Sequence, residues 1–424
     1  MSITKSAALV RHAEGKRPAV ITKSMESSSV VMDSVNSETR VDVLTYQHWA
    51  QALGEVNAHI TVGDEEIEAA KEAYQVVAEH LAQNLSWPLE AISILPQGSA
   101  STRTLIRSPN GTEKFDIDAV CQVDITRVQA AYPMGFFESV GQALSDLEAK
   151  PKRRCWYIPF PNRPFYLEFT PSVPLATIPE QTYSAMAPRY HAVRYKSTAL
   201  AVVDTPTKGW KTSNPAGITQ WVDDTAKRSL ILAAAMESLA SNRMLDSIAR
   251  VPDHRVEITD TLRVAIRLFK RHRDMCVRRG TLDAGTKPIS VIIVTLLTTC
   301  YEGLADLHRG FEHPVQVLDE LAAYMPHLVL HLDGKYRVDN PTVEGENFAE
   351  KWNDDGGARY RSFTTWCGVL SADLKTILAL TDPQAISKRV RDVFGVPAPS
   401  GAPSGLPVIG IAKPKATPAT RGLA

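Results

Sequence analysis

The tightest constraint on this chain lies in Phe115-Asp116-Ile117-Asp118-Ala119-Val120, where two acids interrupt a β-prone run. Side chains at i and i+2 of a strand leave from the same face. Asp116 and Asp118 are therefore expected to project together, with Ile117 turned toward a core. Adjacent carboxylates repel, and placing them on a mostly buried strand is expensive unless a cation neutralises them. Mg²⁺ suits the task, with Mn²⁺ as a substitute, because it takes hard oxygen ligands and is commonly held by one or two carboxylates plus substrate phosphates. A pair of such ions can clamp the attacking and leaving oxygens of a phosphoryl transfer.

The residues upstream point to the same chemistry. Gln97-Gly98-Ser99 follows the apolar run Ala91 to Leu95 and leads into Ser101-Thr102-Arg103-Thr104. A glycine lets backbone approach a ligand closely, and the amides of a following helical turn favour an anion. The segment from Gln97 to Gln122 reads as a two-part device for holding a nucleoside triphosphate. A third acid, Glu168, is the single charge in Pro164-Phe165-Tyr166-Leu167-Glu168-Phe169-Thr170-Pro171. It shares a strand face with Tyr166 and Thr170, while Leu167 and Phe169 pack beneath.

Gly-Ser, then Asp-Ile-Asp, then an acid in a strand followed by Thr-Pro-Ser-Val-Pro resembles the polymerase-β-type nucleotidyltransferase core, and in particular its bacterial CD-NTase branch, relatives of the animal cyclic GMP-AMP synthase and oligoadenylate synthase. The family's third carboxylate is usually aspartate. Glu168 departs from that, and its extra methylene displaces the carboxylate unless the strand sits further back.

A second resemblance lies downstream. Leu262, Ile266, Phe269 and Cys276 form an apolar helical stripe, with Arg263, Arg267, Lys270 and Asp274 on a neighbouring one. Taken alone, those charges read as a solvated face with a Lys270–Asp274 i,i+4 pair. Yet Lys-x-x-Arg-Asp followed by Lys287-Pro288-Ile289-Ser290 resembles the family's second-lobe signature, which implies that Lys270 and Ser290 reach across the cleft to the triphosphate. Asn340-Pro341 through Glu346-Asn347-Phe348-Ala349 to Trp352 resembles a further family segment and reads as structural. Trp210 and Trp221 are open to two readings, core residues or base-stacking platforms.

Composition sets the outer bounds. With 424 residues and 44% apolar content the chain can form two domains with sizeable cores. Lys plus Arg and Asp plus Glu are 47 each, which argues against a general nucleic-acid coat. The five cysteines have no CxxC spacing, the histidines no metal spacing, no apolar run reaches membrane-spanning length, and Met1 to Arg40 has no signal-peptide core. The reading is a cytoplasmic protein with buried thiols.

The expected fold is α+β and bilobal: a mixed sheet carrying Ser99, Asp116, Asp118 and Glu168, facing a helical lobe carrying Lys270 and Ser290. The expected divisions are a flexible arm over 1–40, a catalytic lobe with a preceding long helix over 41–215, a helical lobe over 216–395 and a disordered Pro/Gly-rich tail over 396–424. Within them, helices are expected near Thr219 to Ala249, Ile258 to Arg279, Pro288 to Tyr301, Val315 to Tyr324 and Gly357 to Leu380. Tyr190 to Asp204 reads as strand and Thr205 to Pro215 as loop. The resemblance implies nucleotidyl transfer on ATP and other NTPs, with Asp116, Asp118 and Glu168 holding two Mg²⁺, Gln97, Gly98, Ser99, Lys270 and Ser290 binding the nucleotide, and a cyclic di- or trinucleotide alarm signal as product. It also implies a ubiquitin-like conjugation enzyme as a partner, acting at Ala424. The open alternatives are a nucleotidyltransferase with an RNA, protein or small-molecule acceptor, and a decayed site in an interaction protein.

Overall fold

The computed structural model describes residues 3–17, 43–109, 113–123, 132–186, 194–232 and 260–398. In chain order the helices are α1 (Lys5–Glu14), α2 (Val43–Ile60), α3 (Asp64–Leu85), the single turn α4 (Gly98–Ser101), α5 (Pro133–Ala143), α6 (Glu180–Met186), α7 (Pro215–Ala226), α8 (Thr261–Arg278), α9 (Ser290–Asp306), α10 (Pro314–Tyr324), α11 (Ala358–Leu378) and α12 (Pro383–Phe394). The strands are β1 (Ile92–Gln97), β2 (Phe115–Val123), β3 (Lys150–Pro151), β4 (Trp156–Pro159), β5 (Phe165–Pro174), β6 (Leu200–Asp204) and β7 (Gly209–Ser213), with β8 (Leu330–Leu332) and β9 (Lys335–Arg337) as a separate hairpin.

The main sheet is mixed, as expected. Its order is β1-β2-β5-β4-β3, with β6 on β5 and β7 on β6. The β2–β5 pair is parallel and the β1–β2 and β4–β5 pairs antiparallel, so the two acid-bearing strands lie side by side near the centre. Along β2, Phe115, Ile117 and Ala119 face a core shared with Tyr74, Val77 and Leu81 of α3, Phe137 and Val140 of α5, and Leu167 and Phe169 of β5. This period-2 alternation is what turns Asp116 and Asp118 to the other face.

The second core is helical. α8 runs through it, capped at its start by Asp260, whose side chain accepts from the Arg263 amide at 3.1 Å. Leu262, Ile266 and Phe269 pack there with Leu53 and Val56 of α2, Ile293 and Leu297 of α9, Leu318 of α10, Trp366 and Leu370 of α11 and Ile386 and Val390 of α12.

Several expectations change. Residues 5–14 of the supposed arm form a helix, with Ala7, Val10 and Ala13 buried, Thr4 as its cap and the chain crossing α9 at Gly303. A Cβ there would stand 2.5 Å from Ser6 O, so the close crossing requires glycine. α2, assigned to the catalytic lobe, packs in the helical core. The helix expected over 219–249 runs from Pro215 to Ala226, and residues 233–259 lie outside the described ones. The strand expected from Tyr190 begins at Leu200. The expected loop 205–215 contains β7, where Trp210 and Thr212 alternate inward despite the flanking Gly and Pro. The notion that Glu346 to Trp352 starts a helix, which the spacing of Phe348 and Trp352 suggests, gives way to a 3₁₀ turn over Glu350–Asn353, while α12 was not anticipated. Residues 399–424, including Ala424, lie outside the described residues.

Candidate active site

The sheet face brings Asp116, Asp118 and Glu168 together by register: Asp118 pairs with Gln97 of β1 on one side and with Glu168 of β5 on the other. Asp116 is exposed and Asp118 half-buried. Burial, reinforced by the charges of Asp116 and Glu168, holds the Asp118 carboxyl well above the usual carboxylate range, against the opposing pull of Lys270 and Lys152. Removing the Asp118 carboxylate from water and crowding it against Asp116 and Glu168 creates a demand for positive charge at this face.

The turn beside β2 is fitted to that carboxylate. Gly98 adopts φ +60°, and a Cβ on it would lie 2.3 Å from Asp118 Oδ2, so only glycine admits both the backbone conformation and the approach. Thr102 Oγ1 donates to Gly98 O at 2.9 Å, and the Thr104 amide to Ser99 O at 2.8 Å, which holds the turn closed. Gln97 Nε2 lies 3.4 Å from Thr170 Oγ1, tying the end of β1 to β5 across β2.

Lys270 comes from the other lobe. Its ammonium is buried and donates to Ser99 Oγ at 2.7 Å and to Thr104 O at 2.8 Å. Burial, with the repulsion of Arg273, pulls its pKa down to about 8, while Asp116, Asp274 and Asp118 draw it back up. The solvated-face reading therefore fails for Lys270, and the expected Lys270–Asp274 pair gives way to Asp274 with Arg273 at 2.8 Å and with Lys287 at 3.8 Å.

The neighbouring basic residues are likewise drawn inward. Arg263 Nε donates to Thr102 O at 2.8 Å, Arg267 Nε to Arg103 O at 3.1 Å, and Arg271 Nη1 to Arg107 O at 3.3 Å. One helix thus grips the backbone of the segment that follows the Gly-Ser turn. Ser290, half-buried at the start of α9, accepts from Arg273 Nη1 at 3.1 Å. Trp210 and Trp221 are both core residues, and Trp221 Nε1 donates to Glu302 Oε2 at 3.2 Å.

The sequence reading missed Lys152. Its ammonium is ion-paired with Glu168 Oε1, while Cys155 Sγ lies 3.6 Å from Oε2. The Lys152 ammonium also sits 5.2 Å and 5.6 Å from the ring centroids of Tyr157 and Tyr166. The available signal was the basic run Lys150 to Arg154, which leads into the strand next to Glu168.

The donor set fits Mg²⁺ as a carboxylate pair. Asp116 and Asp118 offer hard oxygens on one face, with an electrostatic demand already shown at Asp118. They do not form a ready-made cage, since among the described residues no group of three His, Cys, Asp or Glu side chains is placed to hold a metal. All five cysteines are free and buried.

A mixed sheet carrying a Gly-Ser turn and a row of acids, faced by a helical lobe that delivers a lysine, defines a nucleotidyltransferase-type fold. That fold is the one of the bacterial CD-NTases related to cGAS and DncV. The chain is similar to the Bradyrhizobium diazoefficiens CD-NTase CdnG, solved in complex with GTP, at 16% identity and TM-score 0.55, over 84% of this chain and 100% of that one. It is similar to the Vibrio cholerae cyclic AMP-GMP synthase DncV at 12% identity and TM-score 0.55, over 84% and 97%. Escherichia coli MS115-1 CdnC, solved with ATP, gives 12% identity and TM-score 0.51, over 82% and 97%. No protein-family model and no curated protein sequence matches the chain.

Proposed function

We propose that this protein is a nucleotidyltransferase that joins nucleoside triphosphates into a cyclic di- or trinucleotide, acting in the cytoplasm as the source of an antiphage alarm signal. The observation that carries the reading is the meeting of Lys270 with Ser99 and Thr104 beside the Asp116–Asp118–Glu168 face. It joins a phosphate-type turn, an acid row and a cation from the helical lobe at one junction. The likeness of fold supports it, since CdnG was solved with GTP and CdnC with ATP, and DncV is a cyclic AMP-GMP synthase.

In this reading Asp116 and Asp118, joined by Glu168, hold divalent metal, and Gln97, Gly98, Ser99, Lys270 and Ser290 face the nucleotide. Bound Mg²⁺ would supply charge neutralisation at the phosphates and activation of a ribose hydroxyl. The chain's own part is positioning. The Gly98 backbone can approach a phosphate without a side chain intervening. The Lys270 ammonium adds a point charge already desolvated, so its attraction to phosphate is only weakly screened. No protein nucleophile is required.

The test is to incubate the purified protein with the four labelled NTPs and Mg²⁺ or Mn²⁺, treat with phosphatase and separate the products. A phosphatase-resistant cyclic product is expected. Transfer only onto an added RNA, protein or small molecule would place the chain among acceptor-modifying nucleotidyltransferases. The engagement of Glu168 by Lys152 favours a second reading, a non-catalytic interaction protein, and absence of NTP turnover under any activating condition would establish it. The partner proposal is a ubiquitin-like conjugation enzyme acting at Ala424. Co-expression with such an enzyme should give a mass-shifted species that disappears when the last three residues are deleted.

A further inference from the structure

Both oxygens of Glu168 are engaged before any metal arrives. Oε1 is ion-paired with the Lys152 ammonium and Oε2 lies 3.6 Å from the Cys155 thiol, so each oxygen already has a partner. Three acids share a face by register, while among the described residues no group of three is placed to hold a metal.

The two lysines at this face play different parts. Lys270 is buried and its ammonium is held by Ser99 Oγ and Thr104 O, which fixes it in place. Lys152 is anchored differently: its side chain is 43% exposed, against 25% for Glu168, so its four-carbon arm can swing into water. The rings of Tyr157 and Tyr166 add cation–π attraction, which orients the ammonium without enclosing it. A half-exposed ion pair of this kind is a weak stabiliser of a fold. It is well suited to being exchanged.

We propose that Lys152 is a built-in counter-cation of the acid face, holding Glu168 in an ion pair that divalent metal must displace before all three carboxylates can act together. The proposal rests on the reading of this face as a metal-dependent nucleotidyl-transfer site. Lys152 and the divalent ion compete for one carboxylate. The ion pair keeps the face from carrying three uncompensated charges when no substrate is bound, and it sets a threshold for metal loading.

Mn²⁺ binding to the full chain without nucleotide, followed by electron paramagnetic resonance of the free ion, tests this. Lys152→Met keeps the apolar stem and removes the charge, and it should bind Mn²⁺ roughly three- to tenfold more tightly than wild type, the size expected for losing one partly screened competing charge. Lys152→Arg should stay near wild type. If Lys152→Met loses its cooperative thermal transition, Lys152→Gln serves in its place. Unchanged or weaker Mn²⁺ binding in the folded charge-removing variant, with Asp116→Asn plus Asp118→Asn losing the ion, would overturn the role of Lys152 while leaving the metal site standing. Mn²⁺ held as tightly by the double Asp variant as by wild type, or bound by none of the proteins, would overturn the site reading and the proposal with it.

Discussion

Lys270 Nζ reaches from the helical lobe to within 2.7 Å of Ser99 Oγ in the sheet lobe, and the same ammonium holds Thr104 O at 2.8 Å. The junction of the two lobes is thus braced by the residue expected to meet the triphosphate. Lys270→Met should weaken NTP binding by the worth of a charge-assisted contact, about 1.5–3 kcal/mol. Titration calorimetry with a non-hydrolysable NTP would measure it. An unchanged affinity would confine Lys270 to its brace.

The same lysine predicts a pH dependence. Its folded pKa is about 8 and its ordinary value 10.5, so between those values the unfolded chain binds the extra proton. The contribution of Lys270 to folding is therefore most favourable above 10.5 and is lost as pH falls through 8. Denaturant melts across that window should show this rise in wild type and its loss in Lys270→Met. NTP affinity should run the other way, declining above pH 8 as the ammonium loses its charge.

Asp116→Asn combined with Asp118→Asn should abolish product while leaving the metal-free protein as stable as wild type or more so. The Asp118 carboxyl is held high by burial and by its acidic neighbours, which means the ionised face is a cost to the fold. Product formation at a rate comparable with wild type would refute the metal assignment.

Gly98→Ala puts a methyl group where Asp118 Oδ2 stands, at a backbone conformation that L residues resist. The turn should shift, with a stability loss of about 1–2 kcal/mol from the conformation alone and a larger relative loss of activity. Retention of full activity would show that the turn tolerates repacking.

Arg263 is buried, paired with Asp223 and Asp260, and bound to Thr102 O. Among the described residues, Arg263→Leu leaves the Thr102 carbonyl without its donor, Asp260 with only the residue 263 amide and Asp223 with only Arg103, and should cost about 3 kcal/mol in urea melts. A change below about 1 kcal/mol would indicate that solvent replaces the guanidinium.

Local chemistry made much of this legible. The Asp-Ile-Asp alternation gave the face of β2, and the apolar stripe of 262–276 gave α8. What periodicity could not supply was the destination of charged side chains. Arg263, Lys270 and Arg271 look like surface residues in a sequence, yet all are buried where carbonyls distant in the chain receive them, Thr102 and Thr104 for the first two and Phe394, Gly395 and Arg107 for the third. Lys152 was missed for a related reason: the turn at Asn162-Arg163-Pro164 predicts strands 153–160 and 165–169 to pair, as they do, but the register that sets Tyr157 opposite Glu168 is not in that signal. α1 escaped because its short apolar face, Ala7, Val10 and Ala13, becomes worth burying only against Gly303.

The grip of α8 on the segment after the Gly-Ser turn has a consequence for how far such a chain can diverge. Its contacts end on the main-chain oxygens of Thr102, Arg103, Thr104 and Arg107. Every residue type carries that oxygen, so side chains that point outward, as at Arg103 and Arg107, can be exchanged while the grip persists, whereas the buried Thr102 and Thr104 hydroxyls stay tied to the turn. Only the basic residues of the helix are committed. A junction written this way holds its geometry through wholesale replacement of letters on one side, as the 12–16% identity to chains of the same fold would allow.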